Sequence, residues 1–383
     1  MLIKIKNDPV NYAWGSRTLL ADAFGFESAG QPMAEVWFGT HPVSEAYSHD
    51  AAAQPLSQLA GHRLNFMLKF LAAGFPLSIQ VHPGLADAQY GFAAEQAAGL
   101  AIGDPQRNFK DANAKREAIV AVTDFDLLAG LKTSDEIAVA LQGLIGLLPE
   151  HSILERYAAV FAKSDTRELI STVLATDIDQ VSRGKLLDAL VERANGATDK
   201  DVDLELVKLL ADQFGSDPGL IVALFMKRIK LAPAEAVFVE TGVPHCYLGG
   251  LGVEILNSSD NVLRGGLTNK YISPALFASL LDEKTSLSVT KQSATTLIAG
   301  LKRYDFPQTD FALHRVEVGS SNLLIDLQLP GESILVCTGG ELVVSNSLDE
   351  RIVLSVGEAA YLANDAKFHS ITGVGDGYLG SAL

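Results

Sequence analysis

The period of the hydrophobic pattern changes at Lys132 and changes back near Arg228, and that switch constrains the fold of this chain more than any other feature. Before it, short runs read as strands. Leu77, Ile79 and Val81 alternate with Ser78, Gln80 and His82, which gives one apolar and one polar side. The run Ala34-Glu-Val-Trp-Phe-Gly39 reads as a strand ending in a Gly-Thr-His-Pro turn, and Glu117 to Thr123 as another, rich in apolar and β-branched residues. Leu85 to Ala98 has the composition of a helix, weakened by Gly91.

Past the switch the chain is helical. Thr133-Ser-Asp-Glu136 is a capping box that opens an amphipathic run through Leu148. Further runs cover His151 to Lys163, Asp165 to Ala175, Asp179 to Ala194, Asp203 to Phe214 and Pro218 to Lys227, and Asp165 with Glu168 repeats the cap spacing. A structureless connection of that length is not expected in a compact chain. Residues 132–228 therefore read as a helical domain inserted into a β-domain. Strands resume at Ala236–Glu240 and Gly252–Leu256. From Ser286 onward nearly everything reads as short strands, such as Ser333–Cys337, Glu341–Ser345 and Glu350–Leu354, with turn residues such as Thr338-Gly-Gly340 between them. The segment from Val356 to His369 has the cadence of a cupin strand pair, with one histidine and no partner for a second metal. The expected fold is mainly β, with cupin-like or jelly-roll domains and a helical insert. Residues 1–131 and 229–285 would form the catalytic unit, and 286–383 a C-terminal jelly-roll-like domain.

Charge narrows the function. At a formal net charge of −16, nonspecific nucleic-acid binding is disfavoured, because its affinity comes from neutralising phosphates. An anionic small molecule would need a local cluster of cations built against that field. The start of the chain shows no apolar signal region, and no apolar run approaches the roughly 18 residues of a membrane span. Cys246 and Cys337 lie outside any CxxC spacing, so two free thiols in a cytoplasmic protein are expected.

Chemistry concentrates in three fragments. Gln80 and His82 stand two apart on strand-like sequence, as do Lys115 and Glu117, and His245 follows a Gly-Val-Pro turn. Two imidazoles, a carboxylate and an amide oxygen suit a zinc ion and would leave it strongly Lewis acidic. Taken singly, each also reads as an ordinary polar residue: a half-exposed Gln-x-His pair, an ion-paired glutamate, a hydrogen-bonded loop histidine. His41, in Thr-His-Pro, reads as structural. From the residues alone an aldose–ketose isomerase, an iron oxygenase of cupin type and a catalytically silent sugar-phosphate sensor all stay open, although Gln80 suits the iron site poorly.

A resemblance weighs between them. Asn11-Tyr-Ala-Trp-Gly15, Ala34 to Pro42, Phe66-Met-Leu-Lys69, Leu77 to Pro83, Asn108 to Glu117, Val243-Pro-His245 and Ser259 through Arg264 to Lys270 occur in an order and spacing that resemble the type I mannose-6-phosphate isomerases. The resemblance implies that Gln80, His82, Glu117 and His245 hold one zinc ion per chain. It implies that Arg264 is the catalytic arginine and that Lys115, Glu254, Asp260 and Lys270 line the pocket. Asp260, Lys115 and Lys270 are the candidate bases, and Lys69, Arg264 and Ser78 the candidates for phosphate capture. The implied substrate is a hexose 6-phosphate, turned over by a monomer without nucleic-acid or membrane partners. One departure stands out: where the family usually has His-Lys-Pro-Glu, this chain has Ala114-Lys115-Arg116-Glu117.

Overall fold

The computed structural model describes residues 1–175, 179–196, 202–307, 309–319 and 329–383, and the backbone of 325–327. It is mainly β, as the sequence leads one to expect. Among the described residues, two sheets of ten strands each carry the chain, and most of the helices lie between Leu131 and Met226.

The first sheet is organised by one long strand, His245–Asn257. Its second half pairs antiparallel with Phe66–Ala73 on one side and with Glu117–Ala121 on the other. Every residue of Phe66–Ala73 is buried, as befits a strand covered on both faces. The first half of the long strand pairs instead with Phe125–Leu131, and His245 pairs with Gln80. The change of partners falls at Gly249 and Gly250. Gly250 has φ 126, and a side chain there would meet the Asp124 carbonyl at 2.6 Å. His245 and Glu254 can thus belong to one strand while serving different neighbours.

The second sheet joins the two ends of the chain. Leu2–Lys6 lies between Tyr47–Ser48 and Ala359–Leu362, and Ser333–Asn346 pairs along its length with His369–Ala382. The expected turn at Thr338-Gly-Gly340 is instead a bulge inside this one strand. Both halves keep the same partner, the register slips between Cys337 and Gly339, and Gly340 absorbs the kink at φ 64. Phe66, Leu68 and Phe70 of the first sheet share a core with Ile334, Val336, Tyr361 and Tyr378 of the second.

Between residues 132 and 228 the helices fall where the sequence places them, whereas the short helices Leu19–Phe24, Leu56–Ala60, Pro274–Leu280 and Glu283–Ser288 lie outside its helical runs. The Thr133–Glu136 capping box is formed at the start of Ser134–Leu147, and Asp165 and Asp203 cap Thr166–Leu174 and Leu204–Phe214. The last run ends early: the helix is Gly219–Leu224, because Met226 already pairs with Leu131 in a strand. Gly91 sits inside Leu85–Ala97 because the Phe109 ring lies where a side chain would be, 2.2 Å away at its closest. The Leu77–His82 strand is shorter than expected and is regular at Gln80–Val81 alone. Leu77 and Ile79 bond instead to Tyr247 and to the Gly265–Gly266 turn. Its alternation nevertheless holds, for Ile79 and Val81 enter the same core as Leu144, Tyr157, Leu169 and Leu210 of the helical block. Cys246 and Cys337 are buried and free. Among the described residues, no helix is long and apolar enough to cross a membrane.

Candidate metal centre and substrate cavity

With their apolar neighbours packed on the helices, Gln80 and His82 are left on the opposite side of their strand. Gln80 lies beside His245 and Arg264 in the ladder, while His82 continues the strand just past it. His82, Glu117 and His245 are all buried, and their donor atoms lie within 4.8 Å of one another. Each imidazole gives its Nδ1–H to a main-chain carbonyl, His82 to Asn261 at 2.8 Å and His245 to Val243 at 3.2 Å. The Nε2 lone pairs therefore point to Glu117, at 3.2 and 3.0 Å from its two oxygens. Carbonyl-anchored imidazoles converging on a carboxylate are the arrangement a metal ion requires. The residues fit zinc, with Gln80 lining the cavity next to them.

The electrostatics keep His82 and Glu117 in the protonation states a metal needs. Burial, then the Lys115 charge, bring the His82 imidazole down to about 3, so it is neutral. Burial would raise the Glu117 carboxyl, but Lys115, 3.0 Å away, and the two imidazoles hold it well below the usual range.

A second layer lies behind. The Tyr247 hydroxyl is 3.2 Å from Glu117 and 3.0 Å from Glu254. Lys69 stands between Glu254 and Glu35, at 3.3 and 3.4 Å, under the Trp37 ring. Trp37 in turn donates to Glu35 at 2.8 Å. Burial would lower the Lys69 ammonium, but Glu35 and Glu254 raise it above the ordinary lysine value. Burial pushes Glu254 up, Lys69 opposes this, and Glu117 and Glu35 add to the rise. Glu35, Glu117 and Glu254 thus face Lys69 and Lys115, an excess of one negative charge that a divalent cation would more than balance.

Above this layer opens a cavity of about 700 Å³ lined by Lys69, Gln80, Lys115, Asp260, Arg264 and Lys270, among others. It continues into a bay of about 550 Å³ where Arg264, Lys270 and Ser78 meet Asp217 and the end of a helix. Lys69 and Ser78, both expected at the phosphate, are not together: Ser78 lines the bay, whereas the charge of Lys69 is taken up by two carboxylates. On the other side Asp260 borders a third cavity, about 990 Å³, whose wall includes His41, Ala114 and Arg116. Arg116 is bound to Glu240 at 2.6 Å.

Several contributors lie outside the residues singled out from sequence. The His41 Nδ1 accepts the Val43 N–H, so Nε2 carries the proton and points to Asp260 at 3.2 Å. That contact, ahead of burial, holds the Asp260 carboxyl below its usual range. His41 is therefore part of the cavity's polar framework. Asn261 supplies the carbonyl for His82, and its amide fixes Asp111 and Asn113. Tyr247 was in principle legible, since it stands two residues after His245 on one strand.

Fold and site together define a metal-centred protein with a cationic small-molecule cavity. The model of the type I phosphomannose isomerase catalytic domain matches residues 2–134. The mannose-6-phosphate isomerase of Escherichia coli K12 is 31% identical over 393 residues, covering 97% of each chain. The Homo sapiens mannose-6-phosphate isomerase is 30% identical over 379 residues, 87% of this chain and 86% of that one. Among solved structures, the Salmonella typhimurium enzyme bound to fructose 6-phosphate and zinc superposes with a TM-score of 0.86 at 28% identity, covering 100% of this chain and 99% of that one. The chain belongs to the type I phosphomannose isomerase family.

Proposed function

We infer that this protein interconverts mannose 6-phosphate and fructose 6-phosphate with one zinc ion per chain, held by Gln80, His82, Glu117 and His245. The observation that carries the reading is the convergence of two carbonyl-anchored imidazoles and Glu117 beneath a cavity lined by Arg264 and Lys270. When bound, zinc supplies Lewis acidity for the sugar carbonyl and its neighbouring oxygens.

The chain's own residues account for the rest. The reaction removes a proton next to a carbonyl and returns it one carbon away, so negative charge gathers on the two oxygens in between. Arg264, half-buried and bidentate by nature, meets that charge, and the Lys115 ammonium lines the same cavity next to Glu117. Asp260, ionised and steered by His41, carries the proton between the two carbons. Lys270 and Ser78 in the bay bind the phosphate together with Arg264. Lys69 keeps Glu254 in place by charge rather than touching the phosphate.

The test is to measure zinc content and then follow conversion of mannose 6-phosphate with and without a chelator, in the native protein and in Arg264→Ala. About one zinc per chain, chelator-sensitive turnover and its loss in the variant are expected. Turnover that survives chelation would remove the metal from the reading, and full turnover in Arg264→Ala would remove the arginine.

A further inference from the structure

The helical block touches the cavity at one turn, and the metal chemistry does not explain why. Asp217, between the helices Leu204–Phe214 and Gly219–Leu224, lines the bay beside Arg264 and Lys270. A carboxylate facing a site for an anion works against binding. Its hydrogen bonds supply a reason for it to be there. Asp217 Oδ1 accepts the N–H of Gly219 at 2.7 Å and of Leu267 at 2.8 Å, and Oδ2 accepts that of Thr268 at 3.4 Å. The two turns also meet backbone to backbone. A side chain on Gly266 would lie 2.6 Å from the Gly219 Cα, and one on Gly219 would lie 2.6 Å from the Leu267 nitrogen. Leu267 itself is held left-handed at φ 54.

This clamp divides the loop. Arg264 is fixed without it, because Arg264 pairs with Gln80 and the next residue, Gly265, bonds to Ile79 at 2.9 Å. Beyond Leu267 that pairing has ended. From Thr268 to Lys270 the backbone is held by the Thr268 bond to Asp217 and by a bond from the Lys270 N–H to the Thr268 hydroxyl at 3.1 Å. Lys270 is exposed, with a long side chain that must be aimed.

We propose that Asp217, supplied by the helical block, is a positioning residue that aims Lys270 at the phosphate of the substrate. The block thereby sets the affinity for the phosphorylated sugar without touching the reacting carbons. The inference rests on Lys270 binding phosphate.

The zinc-loaded full-length protein with Asp217→Ala, Asp217→Asn, Lys270→Ala and the Asp217→Ala/Lys270→Ala pair tests it. Asp217→Ala raises KM for mannose 6-phosphate roughly tenfold, the size of one lost hydrogen bond to a charged group, and leaves kcat near its native value. Inhibition by inorganic phosphate weakens in parallel. Asp217→Asn, which keeps an acceptor oxygen, restores most of the affinity. The double variant is no weaker than Lys270→Ala alone. Additive effects, or a fall in kcat at unchanged KM, would overturn the proposal, as would an asparagine variant as weak as the alanine one. An unchanged KM in Lys270→Ala would instead sink the phosphate reading of that lysine, and the Asp217 role with it. If the alanine variant does not fold, Asp217→Ser keeps an acceptor for the adjacent Gly219 but is too short to span to Leu267 and Thr268, and carries the same prediction.

Discussion

Removing the Tyr247 hydroxyl should weaken zinc binding without touching a zinc ligand. The phenol has a single proton for two carboxylates, with Glu117 at 3.2 Å and Glu254 at 3.0 Å. Both distances are long for an O–H donor, so the group is worth one hydrogen bond to a charged acceptor rather than two. Glu117 keeps Lys115 and both imidazoles after the change, and Glu254 keeps Lys69. The buried core should therefore survive. What is lost is the support that orients the Glu117 carboxylate, and losses of this kind cost about 10- to 100-fold in metal affinity, or about 1.4 to 2.7 kcal/mol. Competition between Tyr247→Phe and a chromogenic chelator at one fixed pH reads this directly, with circular dichroism to show that the fold is intact. A zinc affinity within twofold of the native protein would refute the reasoning, because it would mean that Glu117 is oriented by its ion pairs alone.

Other consequences concern stability. Gly91→Ala should destabilise the protein by about 1 to 3 kcal/mol in urea unfolding, because the new methyl meets the Phe109 ring in a packed interior; a stabilised variant would mean that the ring moves freely. Burial, then Arg303 on the neighbouring strand, lower the His314 imidazole below its ordinary value, and its Nδ1 is buried without a partner among the described residues. The unfolded chain then binds that proton more readily than the folded one. Stability from this site is full above about pH 6.5 and is lost as the pH falls below it. His314→Gln should flatten the decline of the urea midpoint between about pH 7.5 and about pH 5. An unchanged slope would place the acid sensitivity elsewhere.

What the sequence revealed follows the range of the interaction involved. The helix caps at Thr133 and Asp165 depend on residues three apart, and both were legible. So was the two-sided character of Leu77 to His82, although the ladder there is short because its neighbours bond to two different segments. The Thr338-Gly-Gly340 bulge looks like a turn in sequence because glycine permits left-handed backbone in both. The choice was made by His369–Ala382, which pairs with both halves. The end of the Gly219–Leu224 helix was likewise decided by a strand partner at Leu131. The buried relay Glu35–Lys69–Glu254 draws its members from separate strands, and no local pattern announces that an apolar-flanked lysine faces two carboxylates. His41 reads as structural in sequence for the same reason, since its partner Asp260 is distant in the chain.

The pairing of Leu2–Lys6 with Ala359–Leu362 has a bearing on synthesis. At ribosomal rates of about 5 to 20 residues per second, Leu2–Lys6 waits roughly 20 to 70 seconds for Ala359–Leu362 to be made. Tyr47–Ser48 can cover one side early, but through that interval the other side is an open β-edge, the kind of segment that recruits neighbouring chains. Lys4 follows Leu2-Ile3 and, with Lys6, flanks Ile5, which places charge beside the apolar residues of the waiting strand. Charge on a waiting edge disfavours pairing with a neighbouring chain, and in the finished sheet Lys4 meets Glu358.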